Sequence, residues 1–126
     1  MIIGTGVDLA EVPRIRASFE RFGDRFRDRV YTPGEIAYVE RKANRYERYA
    51  ARFAAKEAGM KALGTGLRRG VTFKDFEVTN TASGRPTLQL HGVAHEIAAK
   101  KGVARISLSL THTSETALAY VIFEDA

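Results

Sequence analysis

The 126-residue chain has no cysteine, no tryptophan, only three prolines and three histidines, and no long apolar run. Without cysteine it can form no disulfide scaffold, zinc ribbon, thiol nucleophile or c-type haem attachment. A reducing compartment suits such a chain, and a cytoplasmic location is expected. No run approaches the roughly 18 apolar residues of a membrane helix, so no membrane partner is expected. The opening segment MIIGTGVDLAEV carries an acid at Asp8 and no basic n-region, unlike a secretory signal. Linkers, internal repeats and low-complexity segments are also missing. At this length one domain over 1–126 is expected, able to build its own core. A hydrophobic share of 44% and a charged share of 28% argue against disorder.

What is present is basic charge, unevenly placed. Lys and Arg number 20 against 15 acids. Six arginines (14, 16, 21, 25, 27 and 29) face three acids between Pro13 and Val30. From Arg52 to Gly70 there are five bases and one acid, Glu57; from Ile106 onward there are three acids and no Lys or Arg. A basic first half implies an anionic partner: nucleic acid, anionic lipid, a phosphorylated small molecule or an acidic protein.

Residues 2–8 read as a short buried strand. Pro13 suits the first turn of a helix, where its missing N–H costs nothing, and Ile15, Phe19, Phe22 and Phe26 recur at helical spacing. Gly23 breaks or bends that helix. Thr32-Pro33-Gly34-Glu35 is a capping-box pattern that starts another. Tyr46–Leu63 is the longest helical stretch, ended by Gly64 and rich in alanine, so that another backbone or a ligand can come close. Strands are expected over 71–80 and 86–90 with a turn at Ser83-Gly84, then a helix over 93–101 and strands from Ile106 and Thr116. Helices followed by antiparallel hairpins make the fold α+β, an antiparallel sheet with packed helices.

Chemistry-bearing residues have competing readings. Gly4-Thr5-Gly6 and Gly64-Thr65-Gly66 lack the context of a nucleotide loop, and no GxxxxGK[ST] segment exists. His91 and His95 are four apart, but HExxH is broken by Ala99, and two surface histidines are the better reading. His112 follows an alternating strand among hydroxyls, as an exposed loop residue or a phosphate contact. Asp8 reads as a helix N-cap for the segment at Pro13, or as a ligand or base at a strand end. Glu57 and Lys61, i and i+4, read as a surface ion pair worth about 0.3–0.5 kcal/mol. The alternative is a metal-and-phosphate site with a second carboxylate, in which acids hold Mg²⁺ and phosphates complete its shell.

GTGVDLAEVPRI (4–15), YTPGE (31–35), RFAAKEAGMKALGTG (52–66), FKDFEV (73–78) with SGRP (83–86), and ISLSLTHT (106–113) occur in this order. Together they closely resemble bacterial holo-acyl-carrier-protein synthases, the small class of 4′-phosphopantetheinyl transferases. The resemblance implies transfer of the 4′-phosphopantetheine arm of coenzyme A to a serine of apo-acyl carrier protein, releasing adenosine 3′,5′-bisphosphate, in fatty acid biosynthesis. It implies Mg²⁺ as cofactor on Asp8 and Glu57, with Lys61 as the third catalytic residue, on the phosphate. Coenzyme A contacts would include Arg52, Lys61 and Gly64, with Gly84, Arg85 and Pro86 near adenine and His112 and Thr113 near the 3′-phosphate. It further implies a homotrimer with sites at subunit interfaces, one protomer supplying Asp8, Glu57 and Lys61 and its neighbour the turn and His112. Arg14 and Arg21 would form the docking surface for the acidic carrier protein.

The chemistry suits these residue types: a serine hydroxyl of the partner attacks a phosphodiester, so the enzyme needs no nucleophile. The base stays open between Glu57, acting through a metal-bound water, and Asp8 acting directly. A basic nucleic-acid-binding α+β module is the rival from another class, although no nucleic-acid motif is present and none is expected as partner. A different coenzyme A-dependent acyltransferase is the rival among enzymes.

Overall fold

The computed structural model describes residues 1–126. A ten-residue strand β1 (Ile2–Glu11) leads into α1 (Val12–Phe22) and α2 (Asp24–Val30), then α3 (Pro33–Glu40) and the 19-residue α4 (Arg45–Leu63). Strands β2 (Phe76–Asn80) and β3 (Pro86–Leu90) form a hairpin; α5 (Gly92–Lys100), β4 (Arg105–His112) and β5 (Thr116–Glu124) complete the chain. The order β1-β5-β4 makes a three-stranded antiparallel sheet, and β2-β3 a separate two-stranded one. The fold is α+β, as expected. No helix is long and apolar enough to cross a membrane.

Local signals explain most element ends. Pro13 sits in the first turn of α1, and Gly23 at φ +57° separates α1 from α2. Both halves of the Thr32–Glu35 capping box are present at the start of α3. Gly64 ends α4 in the left-handed region, φ +83°, where a side chain would be strained. Two expectations shift. The strand expected from residue 71 begins only at Phe76, because Phe73–Asp75 form a 3₁₀ turn closed by Thr72 and Asp75. The first strand runs three residues past Asp8, to Glu11.

Helix α4 is the centre of the packing. Alternate residues of β5, Ala117, Ala119, Val121 and Phe123, are buried and belong to one cluster with Ala54, Ala55, Ala58 and Leu63 of α4. Against β1 the approach is closer still. A methyl group added to Gly6 would collide with the carbonyl of Ala58, and one on Gly4 with that of Ala62. The small residues of the Gly4-Thr5-Gly6 segment and of α4 thus meet backbone to backbone.

Lys56, from the basic window of the sequence, is wholly buried. Its ammonium donates to Glu35 Oε1 at 2.7 Å and to the carbonyls of Phe73 at 3.2 Å and Phe76 at 2.5 Å, using all three of its protons. Glu35, also fully buried, accepts from the N–H groups of Thr32 and Val78 as well. One ion pair therefore ties α4 to the start of α3 and to β2. Removing one partner of such a pair strands the other charge in the interior. Lys56→Met should lower the free energy of unfolding in urea by about 3–5 kcal/mol; a change under about 1 kcal/mol would contradict this role.

Candidate active site

Because β1 and α4 touch through small residues, the first polar side chains beyond the contact are forced together. Asp8 does not cap α1: that position is Glu11, which makes no side-chain cap bond. Asp8 lies within β1, opposite Ala119 of β5, a buried position of the sheet. Lys61 does not pair with Glu57. Its ammonium donates to Asp8 Oδ1 and to the carbonyl of Val7, each at 3.0 Å, while remaining 54% exposed. Two of its three protons are engaged, and one is left to point outward.

Glu57 lines, with Asp8, a cavity of about 350 Å³ that also includes Glu11, Arg14, Phe26 and Phe53. Its carboxyl is pushed above the usual glutamate range, first by burial and then by the negative charge of Asp8, with Lys61 opposing. Two carboxylates that repel across one cavity are a natural place for a cation. No group of three or more potential protein ligands gathers anywhere in the chain. The two carboxylates fit Mg²⁺, which commonly takes one or two carboxylates and fills its remaining positions with water and substrate phosphates. A structural zinc, which wants four protein ligands, does not fit.

The other residues expected at the site are distributed around it. Arg14 is exposed on α1 and lines the same cavity as Asp8 and Glu57. Arg21 is exposed further along α1, its guanidinium over the ring of Phe22. Gly64 caps α4 one turn beyond Lys61. Gly84, Arg85 and Pro86 form the end of the β2–β3 hairpin, with Gly84 at φ +90°. Arg85 lines a second cavity of about 310 Å³ with Ser107, Ser109, Tyr120 and Ile122. Register pairs Ser107 with Ile122 and Ser109 with Tyr120, so this cavity opens on the sheet face away from α4. Within one chain the turn and the carboxylates do not meet. His112 ends β4 with Nδ1 3.7 Å from the Glu47 carboxylate, and the hydroxyl of Thr113 closes the β4–β5 turn by accepting from the N–H groups of Glu115 and Thr116. His91 is held by Glu77 at 2.9 Å.

Arg52 is not open to solvent. It is 3% exposed, donates to Asn80 Oδ1 at 2.9 Å and lies over the Tyr38 ring at 4.6 Å. Burial holds its guanidinium below the usual arginine range. Lys56, Glu35 and Asn80 were not singled out from the sequence. A capping-box acid and a lysine in an alanine-rich helix were the available signals for the first two.

The raised Glu57 carboxyl has a thermodynamic consequence. Between the ordinary glutamate value and the raised one, the folded chain keeps a proton that the unfolded chain has lost, so stability falls as pH rises through that window. Asp8→Asn removes one cause. The Glu57 midpoint, followed by carboxyl NMR in the metal-free protein, should move down in that variant; an unchanged midpoint would mean that Asp8 exerts no field on Glu57.

Comparison with known proteins identifies the family. The family model of the 4′-phosphopantetheinyl transferase superfamily matches residues 4–121. A holo-[acyl-carrier-protein] synthase of Solibacter usitatus is 67% identical over 125 residues, covering 99% of this chain and all of the relative. The crystal structure of the synthase from Neisseria meningitidis is 34% identical, with a TM-score of 0.91 over 99% of this chain and 100% of that one. The Helicobacter pylori synthase, solved in complex with coenzyme A, is 28% identical with a TM-score of 0.84, covering 95% of this chain and 99% of that one. With the match running from the first glycine of β1 nearly to the end of β5, this chain belongs to the 4′-phosphopantetheinyl transferase superfamily.

Proposed function

We propose that this chain transfers the 4′-phosphopantetheine group of coenzyme A to a serine of apo-acyl carrier protein, in the cytoplasm and for fatty acid biosynthesis, with the whole of residues 1–126 as one catalytic domain. The observation that carries the reading is the Asp8 and Glu57 pair on one cavity, lined also by Arg14, with Lys61 hydrogen-bonded to Asp8. The serine oxygen attacks the phosphorus of the pantetheine phosphate, the bond to the bridging oxygen breaks, and adenosine 3′,5′-bisphosphate leaves with the electron pair. Lys61, anchored by Asp8 and the Val7 carbonyl, offers its remaining proton to the phosphate oxygens, where charge builds. Asp8 and Glu57 would hold Mg²⁺, which when bound polarises a phosphoryl oxygen and offsets the diphosphate charge. The serine proton has two acceptors on this cavity, the Glu57 carboxylate through a water and the Asp8 carboxylate directly.

Assembly completes the site. Val7, Leu9 and Tyr120 are 49%, 60% and 43% exposed on the sheet face away from α4, and register sets Val7 opposite Tyr120 and Leu9 opposite Leu118. Such a contiguous apolar face favours association. The Arg85 cavity opens on the same face. This supports a homotrimer in which the Gly84-Arg85-Pro86 turn, with His112 and Thr113, reaches the adenine end of coenzyme A bound at the neighbour's carboxylates. Gly64 would border the diphosphate path beyond Lys61. Arg14, with Arg21 two turns on, would receive the acidic carrier protein.

Mass spectrometry of apo-carrier protein incubated with the chain, coenzyme A and Mg²⁺ should detect the phosphopantetheine adduct. Asp8→Asn and Glu57→Gln should each slow transfer about 100-fold or more, and EDTA should abolish it. Full transfer in EDTA would contradict the metal assignment. An acyl rather than a phosphopantetheine adduct would favour a different coenzyme A-dependent transferase.

Arg14→Glu should raise the KM for carrier protein about tenfold while leaving coenzyme A affinity by calorimetry unchanged. Added salt should weaken carrier use by the wild type more than by the variant, because screening removes an attraction the variant already lacks. An unchanged carrier KM would move the docking surface elsewhere.

A further inference from the structure

One hydrogen bond ties the β2–β3 turn to the rest of the molecule. Inside the hairpin, the Thr81 N–H donates to the Arg85 carbonyl at 2.9 Å, the Gly84 N–H to the Thr81 carbonyl at 2.8 Å, and the Arg85 N–H to the Thr81 hydroxyl at 3.2 Å. The bond from outside comes from α4: Arg52 Nη2 donates to Asn80 Oδ1 at 2.9 Å, and Asn80 Nδ2 donates to the Gly84 carbonyl at 3.1 Å. A guanidinium only donates and a carbonyl only accepts, so one orientation alone of the Asn80 amide satisfies both neighbours. Arg52 itself has little freedom. It is almost wholly buried, lies over Tyr38, and has no carboxylate within ion-pairing distance; its Nε has no partner. Carrying this charge in the interior costs stability, which a merely structural contact would not require.

We infer that Arg52 is a positioning residue: through the Asn80 amide it fixes the Gly84-Arg85 turn in the shape that receives the adenine end of coenzyme A. The inference rests on the proposed function for what the turn binds. It assigns Arg52 a role different from direct contact with coenzyme A, the role implied by family resemblance. It also gives α4 two tasks. Glu57 lines the carboxylate cavity and Lys61 bonds to Asp8, while Arg52 holds the turn, so one rigid helix registers both parts of the binding surface.

The test uses Arg52→Met, Asn80→Ala and the double variant, with Arg52→Lys as the conservative change. In amide hydrogen exchange, Gly84 and Arg85 should exchange faster to the same degree in Arg52→Met and Asn80→Ala, and no faster in the double variant. Amides at the centre of α4 should be unchanged. In kinetics, each single change should raise the KM for coenzyme A about tenfold, the scale of one lost charge-assisted hydrogen bond, with kcat held within about twofold. Arg52→Lys should recover part of the loss. The preference for coenzyme A over 3′-dephospho-coenzyme A should survive in all of them. Unchanged exchange at the turn would overturn the brace. So would a loss of that preference in Arg52→Met but not in Asn80→Ala, which would mean that Arg52 touches the phosphate directly. If Arg52→Met does not fold, Arg52→Gln takes its place in the exchange measurement, with the same outcomes deciding. Failure of the wild type to load any carrier would instead sink the reaction, a result the exchange measurement does not mimic.

Discussion

The contact on which the structure depends is the approach of α4 to β1, backbone against backbone, at Gly4 and Gly6 facing Ala62 and Ala58. No side chain intervenes, so the helix axis lies closer to the sheet than ordinary packing permits. The consequence is electrostatic. Asp8, next along the same strand face, lies within reach of an ammonium one turn past Ala58 on the helix, and Lys61 bridges to it. Glu57, on the adjoining helix position, is then exposed to the charge of Asp8 and holds its proton more tightly. Shape complementarity between alanine and glycine thus becomes charge proximity in a cavity.

The opposite side of α4 is held differently. There the Lys56–Glu35 pair, with every proton of the ammonium used, joins helix, capping box and β2. Burial of a lysine requires that all its donors be met. Glu57, the next residue of the helix, points about 100° away from Lys56 and lines the cavity. A close apolar contact and a saturated polar one therefore orient the same helix from two sides.

Much of this was legible in the sequence because it is local. Period-2 alternation marked β4, the Thr32–Glu35 box marked α3, Gly23 marked the bend, and Gly64 the end of α4. The α+β arrangement followed from the order of those elements. Contacts between distant segments were not legible. Asp8 read as a cap because Pro13 follows it, whereas its partner is 53 residues away. Lys61 read as the i+4 partner of Glu57 for the same local reason. In the sequence Lys56 is only one of five bases between Arg52 and Gly70, since nothing near it announces Glu35. Motif resemblance brought Asp8, Glu57 and Lys61 together before geometry did, and geometry supplies the reason: small residues at the crossing. For Arg52 the motif named a residue but not its surroundings, and its burial against Asn80 and Tyr38 belongs to the tertiary fold alone.

The account's central claim is that one chain carries only half of the working site. The carboxylates face α4, while the Arg85 turn opens on the other side of the sheet, beside an uncovered apolar face. Subunit mixing tests this most directly. Glu57→Ala and Arg85→Glu chains, each inactive alone, are dissociated, mixed and reassembled, and carrier loading is measured. The account predicts that transfer returns in the mixture, because some interfaces regain an intact carboxylate cluster from one chain and an intact turn from its neighbour. A mixture as inactive as its parents, with mixed assembly verified by mass, would contradict it.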